Sequence, residues 1–240
     1  MSDILVLSGA YTSNPDRWAA FRESCEKHKV PTHVLGIGET YPGMGAIANA
    51  MGCLQTRSEE YIVATDSYDV ICSRWDEDEV RLLIDSAPDL IMSVEPLVWP
   101  VGSPDSYPSK DRHKWRAICG GQYAGRREQV IEMWSEMLNR WHTGQESLGG
   151  SSQELLHRMQ YNRRRFTLDL ECRLFQSMIG ENAKLIYGDG FGARRPWRGL
   201  AGLPRHRAYN TITKTYPMFL HFNGGPGKSP GMEEWRKLLK

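Results

Sequence analysis

The chain has 240 residues, with 30 Lys and Arg against 29 Asp and Glu, a net charge of +1 and 40% hydrophobic residues. That balance supplies enough apolar side chains for a packed core and excludes a disordered or strongly polyionic chain. No apolar run approaches the roughly 20 residues of a membrane helix, and Met1-Ser2-Asp3 before "ILVL" lacks the basic start and long apolar centre of a signal peptide. The five cysteines, Cys25, Cys53, Cys72, Cys119 and Cys172, form no C-x-x-C pair. They argue against a zinc knuckle or a disulfide framework and for a reducing, cytoplasmic setting without a membrane partner.

Taken in chain order, "ILVL" (Ile4 to Leu7) reads as a short buried strand. Asn14-Pro15 predicts an N-cap and a first-turn proline, with Trp18, Phe21 and Cys25 at helical spacing behind them. "THVLGI" is a second strand, Ala46 to Thr56 a helix, and "YIVAT" a third strand. "DEDEVRLLIDSA" opens a helix with acids, where the macrodipole favours them, and "LIMSV" is a fourth strand. Strands alternating with helices predict an α/β fold: a mainly parallel twisted sheet flanked by helices on both faces.

Beyond Pro96 the pattern loosens. Arg126 to Trp141 and Ser152 to Asn162 read as amphipathic helices, Gly188 to Pro204 as a Gly/Pro/Arg-rich loop, and "YPMFLHFNGG" as a late strand running into a glycine turn. Without an internal repeat or a linker-rich stretch, residues 1–240 read as a single domain.

Ligands of open parallel sheets bind outside the carboxyl ends of the strands. Asp66 and Asp69, in "YIVATDSYD", stand at such an end. Two carboxylates there offer hard oxygen ligands for Mg²⁺ or Mn²⁺ carrying phosphates. Taken by spacing alone, the pair suits solvated turn acids better than a site. His221 precedes "FNGGPGK", whose glycines would let backbone approach a ligand and whose Lys228 could meet a phosphate. A structural histidine at a strand end fits equally well. The "GKS" within it is not a P-loop, because the required first glycine falls on Phe222 and Pro230 blocks the following helix. Trp99 in "SVEPLVWP" could stack a flat base or fill the core, and "CGGQYAG" permits tight backbone approach before a helix.

The near-neutral total hides a segregation. Glu59 to Asp111 holds 13 acids and 3 bases, whereas Arg158 to Arg207 holds 11 bases and 4 acids. Arg163, Arg164, Arg165, Arg194, Arg195 and Arg198, interleaved with aromatics such as Trp197, suit phosphate contact and base stacking on nucleic acid. A solvated face paired with the acidic segment accounts for them as readily.

In this order, "YIVATDSYDV", "SVEPLVWP", "CGGQYAG", "FTLDLECRLFQSM" and "FLHFNGGPGK" resemble the glycosyltransferase domain of the procollagen-lysine hydroxylases and its free-standing viral and microbial relatives. The resemblance runs from "ILVL" through Lys228. It implies a GT-A nucleotide-sugar fold, Mn²⁺ dependence (Mg²⁺ as the variant) and a UDP-sugar donor. By position it makes Asp66, Asp69 and His221 the metal ligands and Trp99 a platform beside the uracil and sugar. Asn223, Gly224 and Lys228 become the turn over the diphosphate, while Ser8, Gly120, Gly121 and Gln153 complete the donor contacts. Asp169, Arg173, Phe175 and Gln176 match an "LD…R.FQ" segment read as architectural.

One departure stands out. Where the family has a run of aspartates, this chain has "GGSSQELL", with Ser151 and Ser152 in place of acids. The acceptor's base is therefore open among Glu95, Glu154 and Asp189. The resemblance and the arginine-rich segment together point to a 5-hydroxymethylpyrimidine in DNA as acceptor. Hydroxylysine on a collagen-like protein is the alternative, and a catalytically inactive nucleotide-sugar or DNA-binding module the reading from another class.

Overall fold

The structure, a computed structural model, describes residues 2–96, 117–143, 152–163, 166–179, 185–187, 208–223 and 231–238. In chain order the elements are β1 (Ile4–Thr12), α1 (Ala19–Lys27), β2 (Thr32–Ile37), α2 (Gly45–Gln55), β3 (Tyr61–Asp66), β4 (Val70–Cys72) and α3 (Glu77–Ser86). These are followed by β5 (Leu90–Glu95), β6 (Ala117–Arg126), α4 (Arg127–His142), α5 (Ser152–Arg163), β7 (Phe166–Leu168) and β8 (Phe175–Ser177). The last are β9 (Leu185–Tyr187), β10 (Ala208–Asn210), β11 (Phe219–His221) and α6 (Met232–Leu238).

Six strands form the central sheet in the order β2-β1-β3-β6-β5-β7. β1 runs parallel to β2 and β3, and β5 parallel to β7, while β6 lies antiparallel between β3 and β5. The mainly parallel α/β expectation holds, with one strand reversed. The sequence reading missed that strand, as it did the short β4, β7, β8, β9 and β10 and helix α6: "CGGQYAG" is the middle of β6, not a turn ahead of a helix. Glycine weakens a strand signal because it packs no side chain. Here the glycines mark close approaches, since a Cβ at Gly125 would lie 2.3 Å from Leu90 Cδ2.

Period-2 alternation sorts the sheet's side chains onto two cores. Ile4, Val6, Tyr61 and Val63 pack with Phe21 and Cys25 of α1 and Val80 and Ile84 of α3. Leu5, Leu7, Ile62 and Ala64 pack on the other face with Leu54 of α2, Val130 and Trp134 of α4, and Leu155 and Leu156 of α5. Each fully buried Ile, Leu or Phe contributes about 1.5–3 kcal/mol. The predicted helix limits fall within a residue or two of the observed ones. The exception is Asn14-Pro15, which opens a short 3-10 turn (Pro15–Trp18) capped by Asn14, with α1 starting only at Ala19. The acid-led helix is α3, where Asp76 caps by accepting the Glu79 N–H at 3.0 Å.

A second, three-stranded sheet, β4-β11-β8, packs on the α1/α3 side. β11 pairs antiparallel with β4, His221 facing Val70, and parallel with β8, His221 facing Ser177. The short chain from β3 to β4 therefore bridges the two sheets. Gly188 to Pro204 lies outside the described residues.

The "LD…R.FQ" segment joins β7 to β8, and its role is visible. The Asp169 carboxylate accepts the backbone N–H groups of Arg173, Leu174 and Phe175, each at 2.9 Å. Gln176 is buried and joined to Asn210, while Arg173 reaches Glu79 on α3 at 2.8 Å. The segment folds a turn around one carboxylate.

Candidate metal centre

β3 ends at Asp66, paired with Gly9 at the end of β1. Ser67 Oγ donates to the Gly9 carbonyl at 2.6 Å, and the Phe222 N–H donates to the Asp69 carbonyl at 2.7 Å. These two bonds fix the "DSYD" turn between the central sheet and the neighbouring β11. Asp66 thus comes from the central sheet, Asp69 from the turn, and His221 from the small sheet. Their ligand atoms all lie within 4.8 Å of one another. His221 Nε2 is 3.5 Å from Asp66 Oδ2 and 3.3 Å from Asp69 Oδ1.

The three side chains shift one another's protonation. Desolvation by the groups packed around it pushes the Asp66 carboxyl up to about 6, with the His221 imidazole opposing and Asp69 adding to the rise. Burial also works to raise Asp69, but its hydrogen bond and ion pairing with His221 outweigh burial and hold it below its ordinary value. Burial works against a charged His221. The Cys119 sulfur and the Asp69 carboxylate overcome it and keep the imidazole's pKa well above ordinary. Two carboxylates that face one buried imidazole form a ligand set that could hold a metal ion.

Gly121 supplies an independent sign of fit. A Cβ there would sit 2.3 Å from Asp66 Oδ2 and 2.8 Å from His221 Cε1, so only glycine leaves the ligand atoms room to converge. Gly120 is packed the same way against Gln153, at 3.0 Å. The triad opens onto a cleft of about 440 Å³ between α2, α4 and the carboxyl ends of β1 and β3. Ser8, Gly120, Gly121 and Ser152 line it beside Asp66 and Asp69, with Tyr11 and Tyr41 in an edge-to-face pair at 5.5 Å. Ser8 Oγ already donates to the Thr65 carbonyl at 2.7 Å, so its hydroxyl holds β1 to β3.

The remaining expected residues divide. Gln153 and Asn223 turn their amides onto Glu95, at 2.6 and 2.5 Å. Glu95 is buried, and burial pushes its carboxyl up to about 7 against the pull of both amides and His221. Glu154 is buried and pairs with Arg158 one helical turn on, at 2.6 Å. Neither acid lines the cleft. Trp99, Ser151, Asp189, Gly224, Lys228, Arg164, Arg165, Arg194, Arg195 and Arg198 lie outside the described residues, as does the side chain of Arg163.

The sequence reading missed four contributors: Ser67, which ties the turn, Tyr11 and Tyr41 in the cleft wall, and Cys119, whose Sγ lies 3.3 Å from His221 Nδ1. Only the position of Ser67 inside "DSYD" hinted at its part. The segregated charges are partly interleaved by the fold. Arg173, from the basic segment, and Arg74 both pair with Glu79, and Arg81 pairs with Asp3, Glu77 and Asp78. Among the described residues, no helix is long and apolar enough to cross a membrane.

Comparison with known proteins agrees with this geometry. The family model for the PLOD GT domain matches residues 1–229. An uncharacterized protein, R699, of Acanthamoeba polyphaga mimivirus is 24% identical over 92% of this chain and 46% of its own length. Procollagen-lysine,2-oxoglutarate 5-dioxygenase 1 of Bos taurus is 25% identical over 92% of this chain and 30% of its own length. The chain thus spans less than half of either relative. Among solved structures, a glycosyltransferase involved in the glycosylation of the major capsid of PBCV-1 shares the fold. It has a TM-score of 0.51 and 14% identity, covering 98% of both chains.

Proposed function

The chain belongs to the PLOD GT domain family, a family of glycosyltransferases, and from that premise we propose that it moves a sugar from a UDP-sugar to a hydroxyl acceptor with the help of a divalent cation. The observation that carries the metal dependence is the convergence of Asp66, Asp69 and His221 within 4.8 Å at the mouth of a cleft. A Mn²⁺ ion held there supplies Lewis-acid and template chemistry, drawing off the negative charge that develops on a leaving diphosphate. The protein's own part is to hold the three ligands. Gly121 keeps the floor open, Ser67 and Phe222 fix the turn, and the cleft beside Tyr11 and Tyr41 offers a partly apolar wall to the donor.

Two acceptors follow from different observations. The arginines at 163–165, 194, 195 and 198 favour a 5-hydroxymethylpyrimidine in DNA, reached by salt-dependent phosphate contacts and by a base turned out of the stack. The bovine relative's name favours hydroxylysine on a collagen-like protein. With either acceptor, the preceding reaction is a hydroxylation, and a reducing cytoplasm fits the unpaired cysteines of the described residues.

Radiolabelled UDP-glucose with Mn²⁺, offered to hydroxymethylcytosine DNA and to a hydroxylated collagen peptide, separates the two acceptors. Label in DNA, falling with added salt, supports the base; label only in the peptide transfers the assignment to hydroxylysine. Binding of UDP without transfer or donor hydrolysis, across a panel of nucleotide sugars, identifies an inactive binding module instead. Asp69→Ala and His221→Ala are expected to lose transfer while keeping the fold. Full turnover by either variant in EDTA sinks the metal assignment.

A further inference from the structure

Behind the triad lies a set of buried polar groups that the chemistry above leaves unused. Glu95, the last residue of β5, is 3% exposed. Each of its carboxylate oxygens accepts one side-chain amide: Oε1 from Gln153 Nε2 at 2.6 Å, Oε2 from Asn223 Nδ2 at 2.5 Å. Gln153 also donates to the Ile118 carbonyl and accepts the Gly120 N–H, both at 3.3 Å. Asn223 accepts Ser177 Oγ at 2.8 Å, and its Nδ2 lies 3.9 Å from Cys119 Sγ. The same sulfur is 3.3 Å from His221 Nδ1. One carboxylate is thereby linked to β6, α5, β8 and the turn after β11, and the chain of contacts ends on the rear nitrogen of His221.

The donor count gives this arrangement a direction. An ionised carboxylate only accepts, so it makes Gln153 and Asn223 turn their NH₂ groups inward and settles which way each amide is flipped. Asn223 then presents a donor to the Cys119 sulfur, and the same sulfur faces His221 Nδ1 at 3.3 Å. An imidazole offers Nε2 to a metal when Nδ1 carries the proton and donates it to a partner. Cys119 is that partner.

We propose that Glu95 is a positioning residue and not the acceptor's base: it orients Gln153 and Asn223 and, through Asn223 and Cys119, holds His221 with Nε2 toward the cation. This inference rests on the metal-dependent reading of the site.

The test is Mn²⁺ affinity without any donor sugar, measured by electron paramagnetic resonance beside a thermal melt of each variant. Glu95→Gln places an NH₂ where two donors already converge, and is expected to raise the Kd about ten- to a hundredfold. Glu95→Gln combined with Gln153→Glu reverses the donor and acceptor between residues 95 and 153, spares Asn223 and keeps the bond from the Gly120 N–H, losing only the 3.3 Å contact to the Ile118 carbonyl. It is expected to bring the Kd back near wild type. An unchanged Kd in the single variant overturns the inference, as does a folded double variant that still binds weakly. If the single variant does not fold, the double variant decides alone by the same criterion. Failure of the wild-type protein to bind Mn²⁺ overturns the metal reading itself, and this inference with it.

Discussion

At the scale of single residues, the triad brings two carboxylates and one imidazole to a point where Asp69 and His221 hold each other charged and Asp66 is pushed toward its neutral form. Asp66 carries the clearest consequence. Its carboxyl is raised to about 6, chiefly by desolvation, so it holds a proton at a pH where an ordinary aspartate does not. A metal must displace that proton. His221, whose pKa is also raised, must likewise give up a proton to the metal. Mn²⁺ affinity is therefore expected to fall as the pH is lowered, with Asp66 contributing about tenfold per unit below about pH 6. The sign follows from the raised pKa: in this site acid favours the proton over the metal. Calorimetric titration with Mn²⁺ at several pH values checks it, and an affinity that is level down to pH 4 removes Asp66 from the ligand set. The residue scale is also where the sequence said least. "DSYD" is visible to the eye, but nothing in its spacing separates a metal turn from a solvated one. Gly121 and Cys119 gain their meaning only from Asp66 and His221 across the sheet.

At the scale of elements, most of the secondary structure was legible because alternation and helical spacing are local signals. The third strand and the acid-led helix appear where the pattern puts them, at Tyr61–Asp66 and Glu77–Ser86. β6 was hidden because its glycines at 120, 121 and 125 remove the side chains that a strand signal needs, and the neighbours that require those glycines are remote in sequence. The β7–β8 connection shows an element made by one side chain. Asp169 is pushed up to about 6 by burial, against three backbone N–H donors that pull it down. Asp169→Asn replaces one accepting oxygen with an NH₂ facing the N–H groups of Leu174 and Phe175. The expected loss is about 2–4 kcal/mol of stability, read as a lower midpoint in urea. A midpoint equal to that of the wild type would show that the turn holds itself without the carboxylate.

For the molecule as a whole, the site is the seam between two sheets. Asp66 belongs to the central sheet and His221 to the small one, with Asp69 on the turn that links them. A cation bound to all three ties the sheets together and favours the folded state by mass action, by about 2.7 kcal/mol at a hundred times its Kd. Thermal melts are expected to move upward with Mn²⁺ for the wild-type protein and not for Asp69→Ala. Equal shifts in both would mean that the ion binds elsewhere. The charge segregation also changes meaning at this scale. Glu59, Glu60, Glu79 and Asp85 are engaged by Arg57, Arg126 and Arg173 from outside the acidic segment, so part of its charge is answered within the fold.

The sequence by itself determined the alternating architecture and the family, because periodicity and the order of five short motifs survive in one dimension. It also determined that Asp66, Asp69 and His221 were the residues to watch. Only the tertiary structure decided that they meet. More than 150 residues separate Asp69 from His221 in the chain, and it is the pairing of β11 with β4 that removes that separation. The structure likewise turned Glu95 from one acid among several into a buried acceptor of two amides, because hydrogen-bond partners are set by packing across elements, which no local pattern records.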